Sequence, residues 1–288
     1  MFIIFGSSGF IGKKLDLSLK KKFGKDKVIS IGRWSKKRKI NLNKTIIFKE
    51  IPNRRYKCAF ILSGKSNLIF KNRKKEIQQI NENIKIVKNI IKFCKLNNVK
   101  KIIFLSSSAV YSDTNSIPFN ENECNNPKNS LGISKFVSEN YLKKFSKRNS
   151  VKVNILRVFT VYGKGMKENQ FLYQAIKKFK SKKKNLIFWN KEVIRNFVHV
   201  DDIVNIIIKF IDINMPKFAI YNVASNNSYT IKTVIKYLNE MTGYKKKIIF
   251  KENINNLSHK VNNNKIKKKL NLKFKDFKKE LTKLYEKI

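Results

Sequence analysis

The chain has 288 residues, 42% hydrophobic and 12% aromatic, enough apolar material to bury a sizeable core and too much for a disordered chain. Its 65 Lys and Arg against 19 Asp and Glu give a formal net charge of +46, and its three Cys form no close pair. No apolar run reaches the roughly 20 residues of a membrane span, and the apolar start Met1–Phe5 is too short for a signal peptide, so composition argues against membrane and disulfide-framework classes and for a cytoplasmic protein.

Taken in chain order, Phe2–Phe5 reads as a short buried strand and Phe10–Phe23 as a helix. Lys27–Ile31 and Cys58–Leu62 read as strands, while the polar stretch Arg33–Arg55 between them shows no strand that can be placed. Lys75–Asn97 has helical spacing, with Ile77, Ile80, Ile84, Val87, Ile91 and Cys94 stepping along one face. Lys101–Ser106 is a strand, Ser134–Arg148 a helix and Val151–Arg157 a strand. Beyond Gly163 the pattern loosens into a helix at Asn169–Lys182, a strand at Leu186–Trp189, helices at Asp202–Ile213 and Thr230–Thr242, and a helical, lysine-rich stretch from Asn262 to Ile288. Strands separated by helices predict an α/β fold, a Rossmann-type doubly wound parallel sheet with right-handed crossovers. Residues 1–160 are expected to form the main domain, with some later elements returning to it, and residues 161–288 mainly a smaller C-terminal lobe.

Directly after the first strand comes Gly6-Ser-Ser-Gly9-Phe10-Ile11-Gly12, opening the first helix. The first Gly permits a tight turn, the second lets backbone N–H groups approach a pyrophosphate, and the third lets helix pack on strand. Strand, motif and helix in this order point to a dinucleotide site. Gly32 leaves room beside the second strand for a 2′-phosphate, and Arg33 offers it a planar cation, with no acidic residue there to bind a free ribose hydroxyl. The expected cofactor is therefore NADP or NAD, with NADP favoured.

Further segments follow in a specific order. They are Leu62-Ser63-Gly64, Asn83, Ser106-Ser107-Ser108-Ala-Val-Tyr111, Leu131-Gly-Ile-Ser-Lys135-Phe-Val-Ser-Glu139, Leu156-Arg157 through Tyr162-Gly163, Arg195-Asn-Phe-Val-His199-Val-Asp201-Asp202, and Tyr221-Asn222. Together with the glycine motif this set resembles the extended short-chain dehydrogenase/reductase family of NAD-dependent epimerases and dehydratases, which modify nucleotide sugars. The resemblance implies that Gly6, Gly9, Phe10, Ile11, Gly12, Arg33, Leu62, Asn83 and Lys135 bind the cofactor. It implies that Ser107 polarises the substrate oxygen, and that Ser107, Ser108 and Arg195 contact a nucleotide sugar, Arg195 at its diphosphate. Ser108 and Ala109 stand where the dehydratase branch has Asp-Glu, which favours an epimerase or reductase.

The resemblance also implies a Tyr four residues before Lys135 as acid/base, and here that position is Leu131, which has no proton to move. Tyr111, Tyr162, Cys124, Glu121, Glu123 and His199 are alternative proton carriers, His199 reading more readily as a strand residue. Asp201 and Asp202 are expected to cap the helix that follows. A non-catalytic dinucleotide-binding protein is the alternative reading. The lysines are spread along the chain and follow an AT-rich codon pattern, so a nucleic-acid partner, or an RNA-binding protein on this fold, ranks behind both. The helices Lys75–Asn97 and Ser134–Arg148 match those through which family members form homodimers. Neither sequence nor resemblance calls for a metal.

Overall fold

The computed structural model describes residues 1–32, 51–52, 54–67, 70, 72–112, 117–123, 126–252 and 258–288. In chain order its first elements are β1 (Phe2–Phe5), α1 (Phe10–Phe23), β2 (Val28–Ile31), β3 (Cys58–Ile61), α2 (Arg73–Leu96), β4 (Lys101–Ser107), α3 (Ser130–Arg148) and β5 (Lys152–Val158). There follow β6 (Thr160–Tyr162), α4 (Phe171–Lys180), β7 (Asn185–Trp189), β8 (Ile194–His199), α5 (Val200–Asp212), β9 (Phe218–Val223), β10 (Ser228–Thr230), α6 (Ile231–Met241), β11 (Lys247–Lys251), α7 (Asn264–Leu270) and α8 (Phe277–Lys287). Arg33 and Cys124 lie outside the described residues.

The chain divides into two compact units, one of residues 1–115, 121–158 and 204–222, the other of residues 116–120, 159–203 and 223–288. The first is built on a six-stranded parallel sheet in the order β2-β1-β3-β4-β5-β9. The chain leaves β1 for β2 on one side and returns to β3 on the other, so β1 and β3 flank the point where the order reverses. In sheets of this type ligands bind at the carboxyl ends of the strands beside that reversal. One sheet face packs Ile3, Phe5, Ala59, Ile61, Ile102, Phe104, Val153 and Ile155 against Val87, Ile90 and Phe93 of α2 and Leu142 and Phe145 of α3. Strands buried on both faces explain the continuous apolar runs Phe-Ile-Ile-Phe and Cys-Ala-Phe-Ile, which show no alternation.

The buried stripe of α2 departs from the one the apolar periodicity predicts. Ile77 is exposed, Ile80, Ile84 and Ile91 are half-buried, and the inward face is Gln79, Asn83, Ile86, Val87, Ile90, Phe93 and Cys94. Two amides turn the helix: Gln79 Nε2 donates to Ser130 Oγ at 3.1 Å and Asn83 Nδ2 to Ser134 Oγ at 3.2 Å, both on α3. A polar seam between helices carries no hydrophobic signal. Helix α3 also starts four residues before its apolar pattern, because the Asn129 side chain accepts from Gly132 N and caps it.

The second unit holds the three-stranded sheet β10-β8-β6 and the parallel pair β11-β7. Phe277 of α8 stacks on Phe197 of β8 and on Tyr229 of β10. The C-terminal stretch is two helices, separated where Asn271 takes a left-handed φ of 44°. Asp201 and Asp202 do not cap α5. They lie inside its first turn, where Asp201 pairs with Lys275 Nζ at 2.9 Å and Asp202 accepts from Lys275 N at 3.0 Å. Among the described residues no helix is long and apolar enough to cross a membrane.

Candidate functional site

The glycine segment forms a close cradle at the ends of β1 and β3. Gly6 has φ +99°, and a Cβ on it would lie 2.8 Å from Leu62 C and Ser63 N. A Cβ on Gly12 would lie 2.0 Å from Gly6 O, so only Gly lets α1 start this close to the strand. Gly9 stands at the N-cap of α1 and makes no side-chain capping bond, and the N–H groups of the first turn belong to Phe10, Ile11 and Gly12. Gly32 closes the cradle from β2: its Cβ direction is filled by Ser7 and Ser8 at 2.9 Å. A side chain at this point would meet Ser7 Oγ and the Cβ and backbone N of Ser8, so the space beside Gly32 is taken by the glycine segment itself.

Beyond Leu62, the loop is fixed by Asn83. Lys65 N donates to Asn83 Oδ1 at 2.8 Å, and Asn83 Nδ2 donates back to Lys65 O at 3.0 Å. Gly64, at φ +143°, lies against the same amide. Ser63 Oγ is buried in this loop without a hydrogen-bond partner.

At the neighbouring end of β4, Lys135 Nζ donates to Leu105 O at 2.6 Å and sits 4.6 Å from the centre of the Phe104 ring. Burial pulls its pKa down to about 8, against the attraction of Glu139. Leu131 stands one turn earlier on α3, its carbonyl accepting from Ser134 Oγ at 3.0 Å. Gly132 allows this turn to meet the residues after β4, since a Cβ there would lie 2.0 Å from Ala109 O. Ser107 Oγ accepts from Ala109 N at 3.1 Å, and Ser108 is buried.

Behind these residues runs a buried polar network that spacing alone does not reveal. Arg157 Nη2 and Nε donate to the two oxygens of Glu139 at 2.8 and 3.2 Å, and Ser106 Oγ donates to Glu139 Oε1 at 2.5 Å. Arg157 Nη1 donates to Tyr111 Oη at 3.0 Å, and Tyr111 donates to Asn222 Oδ1 at 2.7 Å. Glu121 Oε1 accepts from Asn222 N at 2.9 Å. Two of the alternative proton carriers, Tyr111 and Glu121, are therefore engaged in holding β4, β5, α3 and β9 together. Burial pushes the Tyr111 hydroxyl up to about 12 in spite of Arg157. Tyr162 is raised too, by burial and the carboxylates around it, and His199 lies between Asp201 at 3.4 Å and Glu280 at 3.7 Å.

Arg195 belongs to the second unit. It lines a cavity of about 290 Å³ together with Phe171, Gln174, Lys178, Trp189 and Asn190. Its Nη1 donates to Ile194 O at 3.0 Å, and burial lowers its pKa to about 10, which leaves it charged at neutral pH. Asn190 takes a left-handed φ of 55°, turning the chain between β7 and β8 so that Trp189 and Arg195 both reach the cavity. Aromatic walls with a guanidinium suit a flat ring carrying an anionic tail. The sequence signal for this cavity is Arg195 alone; Phe171 and Trp189 read only as apolar periodicity. No group of three or more His, Cys, Asp or Glu among the described residues could hold a metal ion.

The model of the NAD dependent epimerase/dehydratase family matches residues 2–224. The ADP-L-glycero-D-manno-heptose-6-epimerase of Brachyspira hyodysenteriae is 28% identical over 262 residues, covering 84% of this chain and 81% of that protein. The chain spans about half the length of several other curated relatives. Among solved structures, UDP-glucose 4-epimerase of Thermotoga maritima with UDP-glucose superposes with a TM-score of 0.87 at 20% identity, over 99% of this chain and 97% of that one. RMD from Pseudomonas aeruginosa complexed with NADPH gives 0.86 at 17% identity, over 100% and 99%.

Proposed function

We propose that this chain, which belongs to the NAD dependent epimerase/dehydratase family, binds a nicotinamide dinucleotide and acts on a nucleotide sugar as an epimerase or reductase. The observation that carries the reading is the glycine cradle, in which Gly12 brings the first-turn N–H groups of α1 against the end of β1. The orphaned Ser63 Oγ beside Gly6 fits a ligand that supplies its missing partner. The pyrophosphate is held at Gly9, Phe10, Ile11 and Gly12, the dinucleotide lies along Leu62 and the loop fixed by Asn83, and Lys135 holds a ribose hydroxyl. When bound, the nicotinamide supplies a hydride donor and acceptor.

In the second unit, Arg195 takes the diphosphate of the sugar nucleotide, and Phe171 and Trp189 the base. Relatives named for heptose, glucose and arabinose nucleotides support the substrate class. Ser107 and Ser108 orient the sugar. With Leu131 in the family's Tyr position, Lys135 Nζ holds the proton. Arg33 favours the phosphorylated dinucleotide. Ile77 on α2 and Tyr141 on α3, both exposed, support a homodimer through these helices.

The test is titration of purified protein with NADPH, NADP, NADH and NAD in about 0.15 M salt, which screens the lysine coat, followed by turnover of ADP-, GDP- and UDP-sugars. Selective binding of one pair and turnover of one sugar nucleotide is the expected result; no binding to any of the four refutes it. If wild type binds but turns over nothing and Leu131→Tyr gains turnover, the binding-only reading replaces the enzymatic one.

A further inference from the structure

We propose that Gln79 is a positioning residue for the nicotinamide half of the dinucleotide, a role that rests on the cofactor reading above. With Asn83 it binds the loop 63–67 and the first turns of α3 into one body. Gln79 lies outside every segment that points to that cofactor.

Gln79 and Asn83 stand one turn apart on α2, and both are buried. Each side-chain amide grips one loop residue by both of its backbone groups. Asn83 holds Lys65 in this way, and Gln79 repeats the grip on Asn67. Asn67 N donates to Gln79 Oε1 at 3.3 Å, and Gln79 Nε2 donates to Asn67 O at 3.0 Å. Four residues of helix advance about 6 Å and two residues of extended chain about 6.6 Å, so amides four apart match loop residues two apart. Lys65 Nζ also pairs with Glu82 on the same helix. Each amide then reaches α3 with its remaining N–H, Gln79 at Ser130 Oγ and Asn83 at Ser134 Oγ. Ser130 directly precedes Leu131, and Ser134 directly precedes Lys135.

Two helices pack at least as well on apolar side chains, and a buried amide nets little stability once its desolvation is counted. What these amides add is a hold on a third segment, through backbone groups that an apolar side chain cannot grip. The loop is thereby set in register with the turn of α3 that carries Leu131 and Lys135. The place of this ladder decides which half of the ligand it serves. In the sheet order β2-β1-β3-β4, Gly32 and Gly6 stand at the ends of β2 and β1, whereas the loop follows β3 and Lys135 bonds Leu105 O of β4. A dinucleotide with its adenosine half at β2 and its pyrophosphate at the glycine segment lays its nicotinamide half between the loop and Lys135. Gln79 touches no ligand itself. It acts through Asn67 and Ser130.

The test sets each dinucleotide against the same molecule without its nicotinamide ring: NADPH against 2′-phospho-ADP-ribose, and NADH against ADP-ribose, in about 0.15 M salt. Gln79→Met keeps the length of the side chain and removes the amide. It should weaken binding of the reduced dinucleotide that wild type prefers about tenfold, the scale of one lost hydrogen bond, and change the affinity for its ring-less counterpart less than about twofold. The anisotropy of the bound nicotinamide emission should fall at the same time. Ser130→Ala removes only the arm to α3, a smaller change that serves if Gln79→Met does not fold, and it should give the same split between the two ligands. A merely structural role weakens both ligands alike, and that result overturns the proposal. Unchanged affinity and anisotropy in both variants overturn it too. In either case wild type still binds the dinucleotide and the cofactor reading stands. If wild type binds neither NADPH nor NADH, both fall.

Discussion

Replacing Glu139 with Ala tests the network that fixes the ends of β4 and β5. The carboxylate and its partner guanidinium are 4% and 2% exposed, and the fork between them has bonds of 2.8 and 3.2 Å. After truncation Arg157 keeps Tyr111 Oη and Glu121 O, neither of which balances its charge. Breaking a buried pair by removing one partner costs about 3–5 kcal/mol. Ser106 Oγ loses its acceptor as well, worth about 1 kcal/mol. At about 2–4 °C per kcal/mol for a chain this large, a loss of about 4–6 kcal/mol lowers Tm by about 8–24 °C. Scanning calorimetry reads this directly, with urea midpoints as a second measure. The double variant Glu139→Leu, Arg157→Met should recover most of the loss, because a buried pair exchanged for apolar side chains is close to neutral. A Glu139→Ala melt within about 3 °C of wild type would refute the assignment.

Gly12→Ala puts a methyl group 2.0 Å from Gly6 O and forces α1 away from the cradle; NADPH affinity, by fluorescence titration, should fall about a hundredfold, or 2.7 kcal/mol. Asn154 in β5 is fully buried and neither atom of its amide has a partner, so Asn154→Val should raise stability by about 1–3 kcal/mol, seen as a higher urea midpoint. For Lys135 the folded pKa, about 8, lies below the ordinary 10.5, so between these values the unfolded chain keeps a proton that the folded chain has released. Its contribution to stability therefore rises with pH across that window, and wild type should gain on Lys135→Met from pH 8 to 10; a constant difference would show that the buried amine does not titrate there.

The parallel sheet is legible because its strands are apolar on both faces and its helices lie between them, so β1, α1 and β4 fall close to where periodicity puts them. The cradle is legible for a different reason: at Gly6 and Gly12 the backbone admits no side chain, and the requirement is written in residue type. What periodicity misplaces is polar. The stripe of α2 turns on Gln79 and Asn83, whose partners Ser130 and Ser134 are 51 residues away, and no local pattern reports a bond at that distance. Glu139 and Arg157 read as motif members, yet their pairing needs the fold that brings α3 against β5.

With 65 cations and 19 anions, ion pairing cannot satisfy the lysines, and the structure finds them other partners. Lys101 Nζ donates to three carbonyls at the end of α5, of Phe210, Ile211 and Ile213, at 2.7–3.1 Å. Lys246 bridges Ser181 O and Lys183 O, and Lys178 donates to Ile187 O. Lys251 lies over Trp189 and Lys180 over Tyr285. Such contacts are short-ranged and lose little to added salt, whereas the mutual repulsion of an excess of 46 charges acts over the whole molecule. The Debye length shrinks from about 30 Å at 0.01 M to about 3 Å at 1 M, so salt removes the repulsion and spares the contacts. The exposed ion pairs, such as Lys57–Asp212 and Lys278–Glu240, contribute too little each to reverse the sign. Stability should therefore rise with NaCl across this range. A urea midpoint that falls between about 0.01 and 1 M would mean that the few carboxylates, rather than carbonyls and rings, hold the lysine coat in place.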